Sequence, residues 1–390
     1  MPLQSGSRRY GISNERGSRL PHQCSNAVMH TILLTGFPGF LGSQLLPRLL
    51  ASRPQAEAIC LVQPKFSTLA RQRAAELIAG EPALSGRIRL VEGDITLPCL
   101  GLGLPTIPAA SVTEIFHLAA VYDLAVHRET ALRINVAGTR HLLSFAQACP
   151  AMHRFHHVST CYVSGRLPGV FAENDLICGQ TFNNFYEETK YLSEVEVHQA
   201  MAAGLPATIY RPSVVVGDSR SGATQKLDGP LYVVQWLLRQ GRVAVLPMVG
   251  RPAETVFNMV PSDCVVEAIS FLSTLPGATG KVYHLADPDP PTIDEIIQLI
   301  TAATGQRVLR VPLPLWLAKG VINRVPGVFT VLQIPAQALD YFVHPTRYAT
   351  AQTQQDLAPS GLQIPRLREY VGPMVEFVRT HRQLGARAMV

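Results

Sequence analysis

Tyr186 and Lys190 stand four residues apart in Tyr186-Glu187-Glu188-Thr189-Lys190. On a helix that spacing puts a phenol and an ammonium on one face. A phenol with a pKa of ~10 is a poor proton donor at neutral pH. A neighbouring ammonium favours the phenolate and lowers that value. The pair therefore has the makings of a general acid able to protonate a carbonyl oxygen. Upstream, His157-Val158-Ser159-Thr160-Cys161-Tyr162 ends an apolar run with two hydroxyls, either of which could hydrogen-bond a substrate oxygen beside Tyr186. Glu187 and Glu188 point to other helix faces and read as solvated.

A second constellation lies near the start. Ile32-Leu33-Leu34-Thr35-Gly36-Phe37-Pro38-Gly39-Phe40-Leu41-Gly42 is a strand running into Gly-x-x-Gly-x-x-Gly, with a helix after it. Gly36 allows a tight turn, Gly39 lets backbone approach a pyrophosphate, and Gly42 lets the helix pack closely. The helix N-terminus offers free N–H groups and partial positive charge to phosphates. NAD usually needs a carboxylate about twenty residues on, at the end of the second strand, for the ribose hydroxyl. That strand ends Val62-Gln63-Pro64-Lys65, with no acid, and Lys65 is a cation suited to a 2′-phosphate. NADP(H) is favoured over NAD(H).

These groups need a scaffold, and the chain supplies strand–helix alternation. Strand-like runs at 31–34, 58–62, 87–91, 113–117, 154–159 and 207–210 alternate with helical patterns at 40–51, 66–79, 129–148 and 185–203. This predicts an α/β fold: a doubly wound parallel sheet with helices on both faces. The nucleotide-binding domain spans 30–215. Residues 216–390 read as a smaller, mostly helical substrate lobe, interleaved with the last sheet strands. Helical pieces are expected at 231–238, 315–321 and 328–341, and a strand at 281–285. Thr292 and Glu295 form a capping box. Residues 1–29 read as a disordered tail, with Met29 the natural start.

The 390 residues are 47% hydrophobic, enough for a sizeable core, and the +6 balance owes much to arginines in the tail. No basic helix follows, so nucleic acid is not an expected partner. The seven cysteines are scattered without a Cys-x-x-Cys pair, which fits a reducing, cytoplasmic setting. No run reaches the ~18 apolar residues of a spanning helix. His156 and His157 are adjacent on a strand and face opposite ways, so they cannot chelate together, and no metal is expected. The apolar pieces at 231–238, 243–249 and 315–332 (with Trp316) read as lobe core, or as a greasy pocket or peripheral membrane contact.

Together the motifs resemble an extended short-chain dehydrogenase/reductase. They are the Gly36/Gly39/Gly42 loop, Gly93-Asp94-Ile95, His117-Leu118-Ala119-Ala120, Asn135-Val136-Ala137-Gly138-Thr139, Val158-Ser159-Thr160, Tyr186/Lys190 and Arg211-Pro212-Ser213-Val214. Their wording is closest to the fatty acyl reductase and thioester reductase branch, although Gln63 stands where that branch often has Arg. The resemblance implies catalysis by Thr160, Tyr186 and Lys190, with Thr160 rather than Ser159 as the hydroxyl. It implies a dinucleotide held by Thr35, Gly36, Phe37, Gly39, Phe40, Leu41 and Gly42. Gln63, Lys65, Asp94 and Ile95 would border its adenosine, and Ala119, Ala120, Val121 and Asn135 its middle. Val158, Lys190, Arg211, Pro212, Ser213 and Val214 would meet the nicotinamide end. The implied substrate is a small molecule or acyl thioester reduced on an apolar chain, and a homodimer is compatible. Two alternatives share every motif: a nucleotide-sugar epimerase or dehydratase, or steroid-like alcohol dehydrogenase, and a non-enzymatic NADP-binding regulator. A nucleotide-sugar site would need cations, for which Arg220, Lys226 and Arg251 are candidates.

Overall fold

A computed structural model describes residues 30–103, 106–225, 227, 229–324 and 336–381. The tail expected at 1–29, Lys226, and much of the helix expected at 328–341 lie outside them. The described end of that last segment, Ala336–Val343, is a 3-10 helix.

The strands in chain order are β1 (Thr31–Thr35), β2 (Glu57–Val62), β3 (Ile88–Glu92), β4 (Val112–His117), β5 (Arg154–Val158), β6 (Gly169–Phe171), β7 (Ala207–Pro212), β8 (Val214–Val216), β9 (Val243–Met248), β10 (Met259–Pro261), β11 (Val282–Leu285), β12 (Arg307–Pro312) and β13 (Thr346–Tyr348). The helices are α1 (Phe40–Ser52), α2 (Ser67–Gly80), α3 (Arg128–Ala131), α4 (Gly138–Gln147), α5 (Phe185–Ala202), α6 (Leu231–Leu238), α7 (Ser262–Thr274), α8 (Ile293–Thr304), α9 (Leu315–Arg324), α10 (Ala351–Leu357) and α11 (Leu367–Thr380). A π-helical stretch, Leu132–Ala137, joins α3 to α4.

Seven strands form one parallel sheet in the order β11-β7-β5-β4-β1-β2-β3. The strand order reverses between β1 and β4, and in such sheets ligands bind outside the carboxyl ends at that point. Thr35 there is in register with His117, and its hydroxyl lies 2.8 Å from His117 Nδ1. The central strands are buried on both faces, as parallel strands covered by helices must be.

Two hydrophobic clusters cover the faces. One joins α1 and β2 to α7, β11 and Leu357 of α10, so elements late in the chain return to pack on the nucleotide-binding sheet. The other holds Leu142 and Leu143 of α4 and Val197 of α5 against β4, β5 and β7. A third cluster joins α6, α8 and α11 into a C-terminal lobe. Besides its helices, that lobe holds a pair of strands. Residues 243–248 pair in parallel with 307–312 as a two-stranded sheet. Its outer face carries Val243, 64% exposed, and Leu309, 59% exposed.

Candidate active site

The glycine loop is built by contacts only glycine permits. Gly36 has φ +89°, and a Cβ there would lie 2.8 Å from the Leu118 carbonyl carbon and 2.9 Å from the Ala119 nitrogen. Both neighbours are backbone, so β1 and β4 converge only because Gly36 has no side chain. A Cβ at Gly39 or Gly42 would lie 2.7 or 2.6 Å from the Gly36 carbonyl oxygen. These two glycines therefore fold the loop onto itself and set the start of α1. No side chain caps that helix, leaving its first N–H groups to a ligand.

One cavity of about 1020 Å³ runs from this loop to the C-terminal lobe. Thr35, Gly36, Phe37, Gly39, Phe40, Leu41 and Gly42 line its first end. Gln63, Lys65, Ile95, Ala119, Ala120, Val121 and Val158 line it further on, as do Thr160, Tyr186, Lys190, Pro212, Ser213 and Val214. Three expected cofactor residues stand behind this wall. Asp94 receives the Gln63 amide at 2.9 Å and the Thr96 N–H at 2.8 Å. Asn135 is buried, accepting the Val121 N–H at 2.8 Å and donating to Thr189 at 3.0 Å. It ties the β4 loop to α5 rather than facing the cavity.

Arg211 corrects the sequence reading most clearly. Its guanidinium is fully buried away from the cavity, 2.9 Å and 2.5 Å from Glu194 Oε1. It also donates to the Asp175 carbonyl at 2.8 Å. Burying this charge requires such saturation. The residue thus clamps β7 to α5 while its neighbour Pro212 faces the cavity.

Helix α5 starts at Asn184, whose Oδ1 accepts the Glu187 N–H at 3.0 Å. From its first turn Tyr186 faces the cavity, with the Tyr122 ring edge-on at 4.9 Å. The Thr160 hydroxyl hydrogen-bonds the Tyr186 phenol. It also accepts the Tyr162 N–H at 3.3 Å and lies 3.4 Å from the Pro212 carbonyl. Lys190, one turn on, is buried and donates to the Val158 carbonyl at 2.7 Å. Burial pushes its pKa from 10.5 down to about 8, opposed by the Glu194 carboxylate.

Lys190 stands one turn from Tyr186 as the spacing implies, but its hydrogen bond goes to the Val158 carbonyl rather than to the phenol. Burial holds the Tyr186 phenol well above its ordinary value, and the Thr160 hydrogen bond only partly offsets this. The ammonium is directed at a backbone carbonyl. Tyr186 therefore stays protonated at neutral pH. Glu187 is a second correction, because it is fully buried rather than solvated. Asn183 donates to it through its N–H at 2.9 Å, and burial pushes its pKa up. Glu188 alone reaches the surface, where it pairs with Arg128.

The residues fit a dinucleotide. The loop closes so tightly that no Cβ is tolerated, and the helix above it is uncapped. At the opposite end the buried Ser213 hydroxyl lines the cavity and has no hydrogen-bond partner among the described residues. A buried polar atom without a partner is rare, and this one faces where the nicotinamide end would lie.

Sequence reasoning missed the far wall. Phe257, Ile293, Ile296, Ile297, Ile300, Tyr341 and Phe342 line it, from three separate segments. The three-to-four-residue spacing of the isoleucines signals one apolar helix face, but nothing local says that this face borders a cavity.

The sequence profile of the male sterility protein family matches residues 34–269. Glycine betaine reductase of Emericella nidulans is 31% identical over 287 residues, covering 68% of this chain and 22% of that protein. Fatty acyl-CoA reductase 1 of Arabidopsis thaliana is 24% identical over 374 residues, covering 77% of this chain and 76% of that one. The chain thus spans only a small part of some relatives and most of others. Among solved structures, the terminal R domain from the myxalamid PKS-NRPS pathway superposes with a TM-score of 0.76 at 26% identity, covering 92% of this chain and 93% of that one. UDP-glucuronic acid 4-epimerase from Bacillus cereus shares the fold at 17% identity and a TM-score of 0.62, covering 92% and 99%. With its glycine cradle, its Tyr186/Lys190 helix and a profile match over more than half its length, this chain belongs to the male sterility protein family, NAD(P)-dependent reductases of the extended short-chain dehydrogenase/reductase type.

Proposed function

We propose that this chain is an NADP(H)-dependent reductase of a carbonyl or acyl thioester borne on an apolar chain. The observation that carries the reading is the single cavity joining the glycine loop, Tyr186 and the wall built by Phe257, Ile293 and Ile297. Apolar surface at that end favours a hydrocarbon chain. A nucleotide sugar would need cations there, whereas Arg251 is exposed and paired with Glu254.

The glycine loop and the amino end of α1 would hold the pyrophosphate, Ser213 and Val214 the nicotinamide end. A bound nicotinamide supplies the hydride. Everything else falls to the protein. Thr160 and Tyr186 hydrogen-bond the substrate carbonyl oxygen and so orient its carbon. As that oxygen gains negative charge it becomes a stronger base than even this phenolate, and the Tyr186 Oη proton moves to it. Lys190, still protonated at neutral pH, supplies positive charge beside the developing phenolate. The apolar wall excludes water.

Preference for NADP(H) rests on the end of β2. Lys65 lines the cavity there, and Gln63 engages the nearest carboxylate, Asp94. A peripheral contact with a lipid surface, the source of such substrates, is supported by the exposed apolar residues of β9 and β12 and by Trp316, 75% exposed.

The test is NADPH and NADH oxidation, followed by absorbance, against long-chain acyl-CoA, an acyl-carrier thioester, a fatty aldehyde and a ketone. Turnover with NADPH and at least one of these is expected. No turnover across the panel, or cofactor retained through purification without net consumption, overturns the reading in favour of an epimerase-type activity.

A further inference from the structure

Tyr341 lies 155 residues after the catalytic tyrosine, on the 3-10 helix Ala336–Val343, yet it is tied to the first turn of α5. Its hydroxyl accepts the Asn184 amide at 3.0 Å and hydrogen-bonds the Glu187 carboxylate. Asn184 is the same residue whose Oδ1 caps α5. Glu187, adjacent to Tyr186 in sequence, carries a fully buried carboxylate that Asn183 grips through its main-chain N–H at 2.9 Å and its side-chain amide at 3.2 Å. A buried carboxylate is expensive unless its oxygens are occupied. Asn183 and Tyr341 occupy them here.

The phenol of Tyr341 is thus held at both its donor and its acceptor side, which fixes the ring plane. That ring lines the cavity, edge-on to Tyr162 at 4.7 Å. Tyr162 and Tyr122 are its electrostatic neighbours, and Tyr122 is the ring that stands against Tyr186. Tyr341 is therefore a fixed ring in the far wall, at the edge that reaches Tyr186 through the Tyr162 and Tyr122 rings.

We propose that Tyr341, locked by Glu187 and Asn184, is a specificity-determining residue that selects substrates unbranched next to the carbonyl. It rests on the reductase reading above. A flat, immobile ring at this point leaves room for a linear methylene chain and opposes a substituent on the carbon beside the reacting one. Glu187 and Asn184 are positioning residues, acting on substrate choice only through Tyr341.

The experiment compares a linear fatty aldehyde with its 2-methyl counterpart, measuring kcat and KM separately, for the full-length protein and for Tyr341→Phe, Tyr341→Ala and Glu187→Gln. Wild type should favour the linear substrate. Tyr341→Phe keeps the ring and loses both hydrogen bonds, so the preference should fall roughly tenfold, mainly through KM. Tyr341→Ala should fall further, and Glu187→Gln, which keeps an acceptor for the hydroxyl, should stay near wild type. Dinucleotide affinity, read at the distant glycine loop, reports folding and should not move. An unchanged preference in Tyr341→Phe, or equal loss of kcat on both substrates, overturns the inference while leaving the reductase reading intact. A wild type inactive on both aldehydes and on thioesters overturns both.

Discussion

Lys190 should oppose folding while serving chemistry, and the opposition is measurable. Its pKa falls from 10.5 to about 8 in the folded chain because the ammonium is buried, 4% exposed, on α5. That depression corresponds to ~3 kcal/mol of lost stability at neutral pH, where both states are protonated. Lys190→Met keeps the length of the side chain and removes the charge. It also removes the 2.7 Å bond to the Val158 carbonyl, which costs ~1–2 kcal/mol. The variant should gain ~1–2 kcal/mol net at pH 7 and lose most of its turnover. The sign with pH is definite. Between pH 8 and 10.5 the unfolded wild type holds the extra proton, so its stability rises with pH there. The variant lacks that rise, so its lead should vanish at about pH 9 and the wild type should be the more stable of the two by about pH 10. Denaturant unfolding of both proteins at pH 7, 8, 9 and 10 reads this directly, and the difference cancels the buried tyrosines and cysteines that titrate in the same range. A variant less stable than wild type at pH 7, or a gap independent of pH, refutes the argument.

Gly36→Ala should lower stability by ~2 kcal/mol or more and weaken dinucleotide binding at least about tenfold, since φ is +89° and the neighbours are backbone; calorimetric unfolding and cofactor titration check both. Burial pushes His117 to about 3 and His156 and His344 to about 4. Below pH ~6.5 the unfolded chain takes up protons that the folded chain refuses, so stability should fall steadily from pH 6.5 toward 4, by up to ~1.4 kcal/mol per pH unit for each histidine. Urea unfolding at pH 7, 6 and 5 tests it. Lys65→Ala should raise KM for NADPH and leave that for NADH nearly unchanged; an equal effect on both would remove the lysine from cofactor choice.

What was legible in the sequence was what depends on near neighbours. The glycine loop, the α5 spacing and the sheet strands are each specified within a dozen residues, and the structure places them as the periodicity implies. The site's buried charges were not legible. Glu187 looks solvated beside Glu188 until residue 341 covers it. Arg211 sits in a motif that resembles a cofactor contact, but its partner Glu194 arrives from a helix face the spacing leaves unassigned. The pairing of β9 with β12 was missed because Arg307-Val308-Leu309-Arg310 alternates weakly and its partner lies some 64 residues earlier. The direction of the Lys190 ammonium was not legible either, for a different reason. Spacing puts two groups on one face but does not say where the ammonium is aimed, and here it meets Val158.

The central claim is that Tyr186 holds the proton the substrate oxygen receives. Tyr186→Phe, with dinucleotide affinity and stability measured alongside, should retain the cofactor while the rate of carbonyl reduction at saturating substrate falls by about 10²–10⁴. A phenylalanine variant that reduces the same substrate at the wild-type rate would contradict it.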